Sequence, residues 1–159
     1  MRKLGVFGLG VMLLACGCGL SETKAVDAKA SHVGVVWLTS LDAARKEAAE
    51  KKLPILVDFS GSDWCGWCIK LDKEVFSQKA FAEYAKKNLV LLLLDFPNRK
   101  PQSPEEKKVN QALAEQYGVQ GFPTVLLLDA TGKQLGRTGY MPGGAETYVD
   151  HLKDLLKKK

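Results

Sequence analysis

Two of the four cysteines, Cys65 and Cys68, stand three positions apart between tryptophans in the stretch "SDWCGWCIK". A pair at this spacing serves zinc binding, a structural cross-link or thiol–disulfide exchange. Zinc usually takes four ligands, from two such pairs or from a pair and closely spaced histidines. The chain has only two histidines, His32 and His151, and they belong to different predicted elements. We therefore expect no metal at this pair.

A structural cross-link is the weaker of the two remaining uses. A disulfide between Cys65 and Cys68 closes a very short loop, which removes little conformational entropy from the unfolded chain. Exchange needs instead a first thiolate that attacks a disulfide and a second thiol that resolves the mixed disulfide. If Cys65 begins a helix, Cys68 follows one turn later on the same face, within reach of the first sulfur. Exchange is the favoured use.

A helix start also favours ionisation of Cys65. The free backbone N–H groups and the macrodipole at a helix amino terminus stabilise a thiolate, so we expect the pKa of Cys65 to lie below the ~8.5 of a free cysteine. Gly66 and Trp67 both keep their backbone N–H groups, which leaves one more donor than a proline would. Cys65 is thus predicted to be the exposed attacking thiol and Cys68 the deeper resolving thiol.

The segments around the pair predict the elements that position it. Residues 53–60, "LPILVDFS", form an apolar run without alternation, which is typical of a strand buried on both faces of a parallel sheet. The apolar patterns predict strand, helix, strand, helix and strand in the segments 32–38, 39–52, 53–60, 64–88 and 89–96. We expect an interruption of the second helix near Phe76 and Ser77.

The second half of the chain predicts a helix, a β-hairpin and a final helix. Ser103 and Pro104 are typical of a helix start, and residues 118–140 predict two strands joined by a short turn. Apolar residues then recur on one helical face in residues 144–158. Parallel crossovers followed by a hairpin and a covering helix predict a three-layer α/β domain, with a central mixed β-sheet flanked by helices.

The amino-terminal residues 1–18 predict export. Two positive charges precede an apolar stretch that is shorter than the ~20 residues of a membrane-spanning helix. The stretch ends at "LLAC", which resembles a bacterial lipobox and implies a lipid on Cys16. A plain cleaved signal peptide is the first alternative and an uncleaved anchor the second. The lipobox and the cleaved signal peptide both lead to an oxidising compartment. Residues 19–32 are expected to form a flexible tether, and residues 33–159 the folded domain.

Length and charge limit the class of protein further. The chain has 159 residues, 46% of them hydrophobic and 26% charged, as is usual for one globular domain. The formal net charge of +5 is small and interspersed with acidic residues. It gives little support to a nucleic-acid surface.

Residues 33–157 resemble the thioredoxin superfamily. The resemblance rests on "ILVDF" before "WCGWC", on the later "YGVQGFPTVLLLD", and on "GRTGY" before the last helix. It implies a thioredoxin-like fold, with βαβαβ followed by a helix, a hairpin and a helix. The fuller run "FSGSDWCGWCIKLDKEVF" is most similar to exported thioredoxin-like proteins related to the periplasmic carboxy-terminal domain of the transmembrane electron carrier DsbD.

The resemblance implies roles for individual residues. Cys65 attacks, Cys68 resolves, and Pro123 is a cis-proline facing the disulfide, with the backbone of Phe122 available to an extended substrate segment. A proline that merely begins a strand is the alternative for Pro123, because few X-Pro bonds are cis. The residues around the pair, Trp64, Gly66 and Trp67, are expected to contribute to the substrate-binding surface, with ordinary packing as the alternative for the two tryptophans.

Asp58 is the third catalytic candidate. A carboxylate inside an apolar strand is costly unless it is paired or protonated, and burial raises its pKa, which suits proton exchange with Cys68. An aspartate that only caps the following turn is the alternative. The segment "SGSD" places one residue more than the family pattern between this acid and Cys65, and the lysine common on the next strand is absent from "LVLLLLDF".

These features predict an exported thiol:disulfide oxidoreductase that reduces disulfides of exported proteins and needs no prosthetic group or metal. Its expected partners are cysteine-containing exported proteins and, as reductant, a membrane electron carrier. The expected location is the periplasm or cell envelope, as a membrane-anchored lipoprotein. A disulfide oxidase or isomerase, and a redox-inactive binding module of the same fold, are the alternatives.

Overall fold

The protein folds around one six-stranded sheet, and the computed structural model describes residues 30–32 and 34–157. The strands are β1 Ala30–His32, β2 Val35–Leu38, β3 Ile55–Ser60, β4 Val90–Asp95, β5 Thr124–Leu128 and β6 Gln134–Thr138. The helices are α1 Leu41–Lys51, α2 Gly66–Leu71, α3 Lys79–Asn88, α4 Pro104–Gln116 and α5 Gly144–Lys157, and a π-helical turn, Asp72–Phe76, continues α2.

The strand order across the sheet is β1-β2-β4-β3-β5-β6. Strands β2, β4 and β3 run parallel, whereas β1, β5 and β6 each run antiparallel to the strand beside them. Helices pack on both faces, so the prediction of a three-layer α/β domain with a mixed sheet is confirmed.

Strand β3 lies in the interior of the sheet, and all six of its residues are buried. Leu56 packs with residues of α3 and α5 on one face, while Ile55, Val57 and Phe59 pack with α1 and partly buried residues of α4 on the other. An apolar run without alternation gives this result because both faces of the strand are covered. The strand therefore delivers the following segment, with its two cysteines, from a rigid position.

The first predicted strand is a hairpin. Gly34 has a φ of 75° and separates β1 from β2, so the strand expected over residues 32–38 is divided. Strand β1 also begins at Ala30, inside the segment predicted as a tether. Its pairing with β2 uses backbone hydrogen bonds, which small and polar residues form without any apolar pattern. The predicted signal segment, the earlier tether residues and Cys16 lie outside the described residues.

The predicted helix over residues 64–88 is divided as well. It begins at Gly66, turns through the π-helical segment and stops at Ser77, where Gln78 has extended backbone angles before α3. The Ser77 N–H donates to the carbonyl of Asp72 at 2.8 Å, which is the wider hydrogen bond of a π turn. The expected interruption near Phe76 and Ser77 is confirmed.

Candidate active site

The two cysteines form a disulfide at the amino terminus of α2. Cys65 is the N-cap residue, and its sulfur accepts a hydrogen bond from the backbone N–H of Cys68 at 3.2 Å. The sulfur of Cys68 lies 3.5 Å from the backbone N–H of Gly61, which donates to it. Both sulfurs thus already have a backbone donor, of the kind that stabilises a thiolate.

Both cysteines are largely covered in this disulfide form. Cys65 is 7% exposed and Cys68 4%, whereas the sequence predicted an exposed Cys65. The accessible surface beside the pair belongs to Trp64 and Trp67, which are 44% and 57% exposed, and to Gly66, where an added Cβ would meet no atom within 4 Å.

Gly61 makes the turn from β3 to the cysteines possible. Its carbonyl accepts from the N–H groups of Trp64 and Cys65, at 3.3 and 2.9 Å. A Cβ on Gly61 would lie 2.6 Å from the indole of Trp64, a distance that any larger residue could relieve only by moving the ring. The close approach of backbone and indole therefore requires glycine.

The extra residue of the "SGSD" segment is matched by the long loop after β4. The carboxylate of Asp63 accepts hydrogen bonds from the N–H groups of Asn98, Arg99 and Lys100, at 2.9, 2.7 and 2.9 Å. These bonds, that of Asn98 above all, hold the pKa of Asp63 below its usual 3.8. Sequence reasoning missed this role of Asp63, although the inserted residue ahead of Cys65 was a signal that the turn differs here.

A second set of bonds joins the same two segments. Asp95, the last residue of β4, accepts from the N–H and hydroxyl of Ser62 at 2.9 and 2.6 Å. The Lys100 ammonium donates to the Ser62 hydroxyl at 3.0 Å, and the Trp64 indole N–H donates to the carbonyl of Phe96 at 2.7 Å. We call Ser62, Asp63, Asp95 and the loop 97–103 the active-site clamp.

The peptide bond between Phe122 and Pro123 is cis. The ring of Phe122 packs edge-on against Trp64, with the centroids 5.9 Å apart, and lies at a tilt of 32° to the ring of Phe96, 4.8 Å away. Because Trp64 directly precedes Cys65, these contacts bring the cis peptide to the side of the cysteine pair. The roles in substrate binding that the resemblance implied for Phe122 and Pro123 stay predictions.

A second group of aromatic side chains, Trp67 and Tyr140, lies next to the pair, and we call it the aromatic lip. The rings of Trp67 and Tyr140 lie 5.0 Å apart, and the Lys70 ammonium lies 5.2 and 5.1 Å from their centroids, within the range of cation–π attraction. The Tyr140 hydroxyl donates to Glu74 at 2.8 Å. Tyr140 had no predicted role, because nothing in the sequence indicates that the end of the hairpin reaches α2.

A pocket of about 380 Å³ lies behind Cys68, on the side of the sheet that α2 covers. Its lining combines apolar residues with titratable and hydroxyl groups, among them Asp58, Ser60, Ser62, Cys68, Asp72, Asp95 and Lys100. The lysine expected on the next strand is replaced in β4 by leucines, but the clamp loop contributes Lys100 to this pocket. Asp58 and Cys68, predicted to exchange a proton, line the same pocket.

Asp58 is 5% exposed and belongs to β3. Burial raises its pKa to about 8, and the nearby carboxylates of Asp72 and Asp95 act in the same direction, while a hydrogen bond with Ser60 lowers it. The Asp58 Oδ1 atom has no hydrogen-bond partner. Such a group is protonated near neutral pH and can give or take a proton there.

Within residues 30–32 and 34–157, no cluster of three or more histidine, cysteine or acidic side chains has the geometry of a metal site. His151 instead shares a hydrogen bond of 3.0 Å with the Thr138 hydroxyl. The helices in this part of the chain are also too short or too polar to cross a membrane.

Comparison with known proteins places this geometry in a family. The family model for a thioredoxin-like domain matches residues 41–155. The chain is 37% identical over 143 residues to the disulfide bond reductase DsbH of Chlamydia pneumoniae, which covers 90% of this chain and 83% of that protein. It is 32% identical over 120 residues to the thiol:disulfide interchange protein DsbD of Klebsiella pneumoniae, but that match covers 74% of this chain and only 18% of the much longer relative.

A solved structure agrees with these matches. The structure described as DsbH oxidoreductase superposes with a TM-score of 0.74 at 36% identity, over 91% of this chain and 97% of that one. The fold, the cysteine pair beside a cis-proline and these relatives lead to one conclusion. The chain belongs to the thioredoxin-like family, and it is a thiol:disulfide oxidoreductase.

Proposed function

We propose that the protein is an exported reductase that uses the pair Cys65 and Cys68 to reduce disulfides of other exported proteins. The observation that carries this proposal is the disulfide at the amino terminus of α2, beside the cis peptide and between exposed aromatic side chains. The direction of electron flow is supported by the 37% identity to a relative named a disulfide bond reductase.

The reaction proceeds by two exchanges. The thiolate of Cys65 attacks one sulfur of the substrate disulfide, and the other substrate sulfur leaves as a thiolate that takes up a proton. The thiolate of Cys68 then attacks Cys65 and expels the second substrate sulfur, which is protonated in turn. The substrate gains two electrons and two protons, and the cysteine pair is left as the disulfide.

Asp58 handles the proton of Cys68 in this scheme. The Cys68 thiol must lose its proton before it attacks, and the Asp58 carboxylate accepts that proton. In the opposite half of the cycle a dithiol donor attacks Cys65, Cys68 leaves as a thiolate, and the neutral Asp58 carboxyl returns the proton. A pKa of about 8 suits both directions near neutral pH.

The substrate-binding surface consists of Trp64, Gly66 and Trp67 with Phe122 and Pro123. Two of these side chains, Trp64 and Trp67, are large, exposed and aromatic, and each directly precedes one of the two cysteines in the sequence. Aromatic groups supply much contact area at a low cost in conformational entropy. They therefore suit the recognition of varied extended segments around a substrate cysteine.

The partners and location follow from the same proposal. Cysteine-containing exported proteins are the substrates, and a membrane electron carrier, the class to which the longer relative DsbD was assigned above, recharges the pair. The protein works in the periplasm or envelope without a prosthetic group, held at a membrane by a lipid on Cys16. Mass spectrometry of the membrane fraction tests the anchor, because an unacylated amino terminus there contradicts it.

The reduction potential of the pair tests the direction. The purified domain is equilibrated with glutathione buffers, and the ratio of dithiol to disulfide is measured, with Cys65→Ser as the control that cannot form the pair. A potential near the −270 mV of thioredoxin, within about 40 mV, supports a reductase. A potential near the −120 mV of a strong oxidant would assign the oxidase alternative instead.

A further inference from the structure

Two buried polar atoms of the described residues have no hydrogen-bond partner, and both belong to residues that line the pocket behind Cys68. They are the indole Nε1 of Trp37 and Oδ1 of Asp58. Trp37 is 2% exposed and Asp58 5%. Unpaired buried polar atoms are rare in folded proteins because each has lost its hydrogen bonds to water. Because both belong to residues that line one pocket, a single partner within that pocket could serve both atoms.

The two atoms are complementary in their chemistry. The indole N–H only donates, and a carboxylate oxygen accepts. A water molecule can accept from the first and donate to the second, and buried waters usually make about three such bonds. The pocket, at about 380 Å³, has room for several waters at roughly 30 Å³ each. Its lining also includes hydroxyl and charged groups, at Ser60, Ser62 and Lys100, of the kind that hydrogen-bond to water.

The packing of Trp37 holds its indole in a fixed orientation. The residue lies in β2 opposite Leu91 of β4, and its ring centroid is 5.1 Å from that of Phe76 and 6.4 Å from that of Phe81. These apolar contacts account for the burial of the ring. They provide no hydrogen-bond partner for the buried indole N–H, a group that a phenylalanine would lack.

We propose that Trp37 is a positioning residue for proton exchange at Cys68, because its indole N–H holds the Asp58 carboxylate through water in the pocket. The inference rests on the proposed role of Asp58. When the disulfide is reduced, the Asp58 proton moves to the departing Cys68 sulfur, and the carboxylate that remains is the form that the N–H stabilises. When Cys68 attacks, the proton returns along the same path.

Other titratable groups lie around Asp58, and each comes from a different element. Cys68 of α2 and Lys100 of the clamp loop line the same pocket, and Asp72 of the π turn, Asp95 of β4 and Tyr148 of α5 interact with Asp58 electrostatically. The acidic residues Asp72 and Asp95 disfavour the carboxylate. The indole N–H of Trp37 would favour the carboxylate form without adding a charge. It would thereby offset the effect of Asp72 and Asp95 in a protein that lacks the family's lysine on the next strand.

The first test follows the Trp37 indole in the unaltered protein. The ¹⁵N–H resonance of Trp37 is recorded against pH and is expected to shift with the same midpoint as the carboxyl carbon of Asp58. In Asp58→Asn this titration should vanish. The indole of Trp64, which donates to the Phe96 carbonyl, is the internal control and should keep its position. If the resonance of the Trp37 indole N–H does not shift as Asp58 ionises, the proposal is wrong.

The second test removes the N–H and keeps the ring. In Trp37→Phe, the midpoint of the pH profile for reduction of the Cys65–Cys68 disulfide is expected to rise by about 0.5 to 1 unit, because the carboxylate has lost a hydrogen bond. In the Asp58→Asn background the same substitution should leave the profile unchanged. An unchanged midpoint in Trp37→Phe contradicts the inference alone. If Asp58→Asn itself leaves the profile unaltered, the proposed role of Asp58 fails as well.

Discussion

The carboxylate of Asp63 accepts the backbone N–H of Arg99 at 2.7 Å, across 36 positions of sequence. This bond and its two neighbours join the residues just before Cys65 to the loop after β4. The segment with the inserted residue and the loop after β4 are therefore held together as one hydrogen-bonded unit. The position of Trp64 and of the cysteine pair depends on a contact that is distant in sequence.

Asp63→Ala is expected to release the clamp loop. The N–H groups of residues 98–100 lose their acceptor, so their hydrogen exchange should become faster, and the denaturation midpoint should fall. Glu83→Ala, which removes an exposed carboxylate from a surface ion pair on α3, is the control and should leave both unaffected. If hydrogen exchange at residues 98–100 stayed unaltered in Asp63→Ala, the Asp63 carboxylate would not be what holds this loop in place.

The clamp should also depend on pH in one direction. The pKa of Asp63 is lower in the folded protein than its usual 3.8, so its stabilising effect is fully present above the unfolded pKa and is lost as the pH falls through the folded pKa. We expect the amide signals of residues 98–100 to stay constant from pH 7 down to about 4.5 and to change only in stronger acid. If these amide signals changed between pH 5 and 7, a titratable group other than Asp63 would be holding the loop.

Asp58→Asn is expected to stabilise the protein at pH 8. The folded-state pKa of Asp58 is about 8 against a usual 3.8, so between these values the folded state binds more protons and its stability falls as the pH rises. The gain on substitution should be on the order of 2–4 kcal/mol at pH 8, less than the full shift because a buried amide also needs partners. Urea denaturation at pH 4 and pH 8 checks this, and an equal effect at both pH values contradicts the buried, raised pKa.

Trp67→Ala is expected to weaken the recognition of protein substrates. The exposed ring contacts Tyr140 and lies under Lys70, and the loss of such an aromatic contact costs roughly 1–2 kcal/mol, so KM should rise about 5- to 30-fold. Reduction of a small disulfide such as oxidised glutathione should be little affected. The control is Val109→Ala, at an exposed residue of α4, which should leave both KM values unchanged. If Trp67→Ala raised KM equally for the protein substrate and for oxidised glutathione, the aromatic lip would have no special role in binding proteins.

Cys68→Ser is expected to trap the substrate. With no resolving thiol, attack by Cys65 leaves a mixed disulfide, which mass spectrometry under non-reducing conditions detects as a covalent adduct. Cys65→Ser should form no such adduct, or one far less abundant. Adducts formed chiefly through Cys68 would reverse the two roles.

The sequence predicts those parts of the site whose signal lies within a few neighbouring residues: strand β3, the cysteine pair and Asp58. The run before the cysteines predicts β3 because burial on both faces leaves no polar alternation, and the spacing of Cys65 and Cys68 predicts their chemistry. Asp58 stands out because an acid is unusual in such a run. Each of these signals is contained within a few residues.

The missed features are contacts between distant segments. The bonds of Asp63 to the clamp loop, the contact of Tyr140 with Trp67 and the bond of Lys100 to Ser62 join residues 35 to 73 positions apart. Periodic patterns within a single element carry no information about such contacts. The strand β1 was missed for another reason. Its pairing with β2 depends on the backbone alone, and its residues carry no apolar pattern.

The hairpin at the edge of the sheet has a mechanical consequence. Strand β1 pairs with β2 through three opposed residue pairs, from Ala30 with Trp37 to His32 with Val35, while β3 lies two strands further in. Tension applied to the chain ahead of Ala30 would act first on the Ala30–Trp37 pair and would peel β1 away one pair at a time. Strand β1 would therefore separate from the sheet before such tension reached β3, the strand that precedes the cysteines.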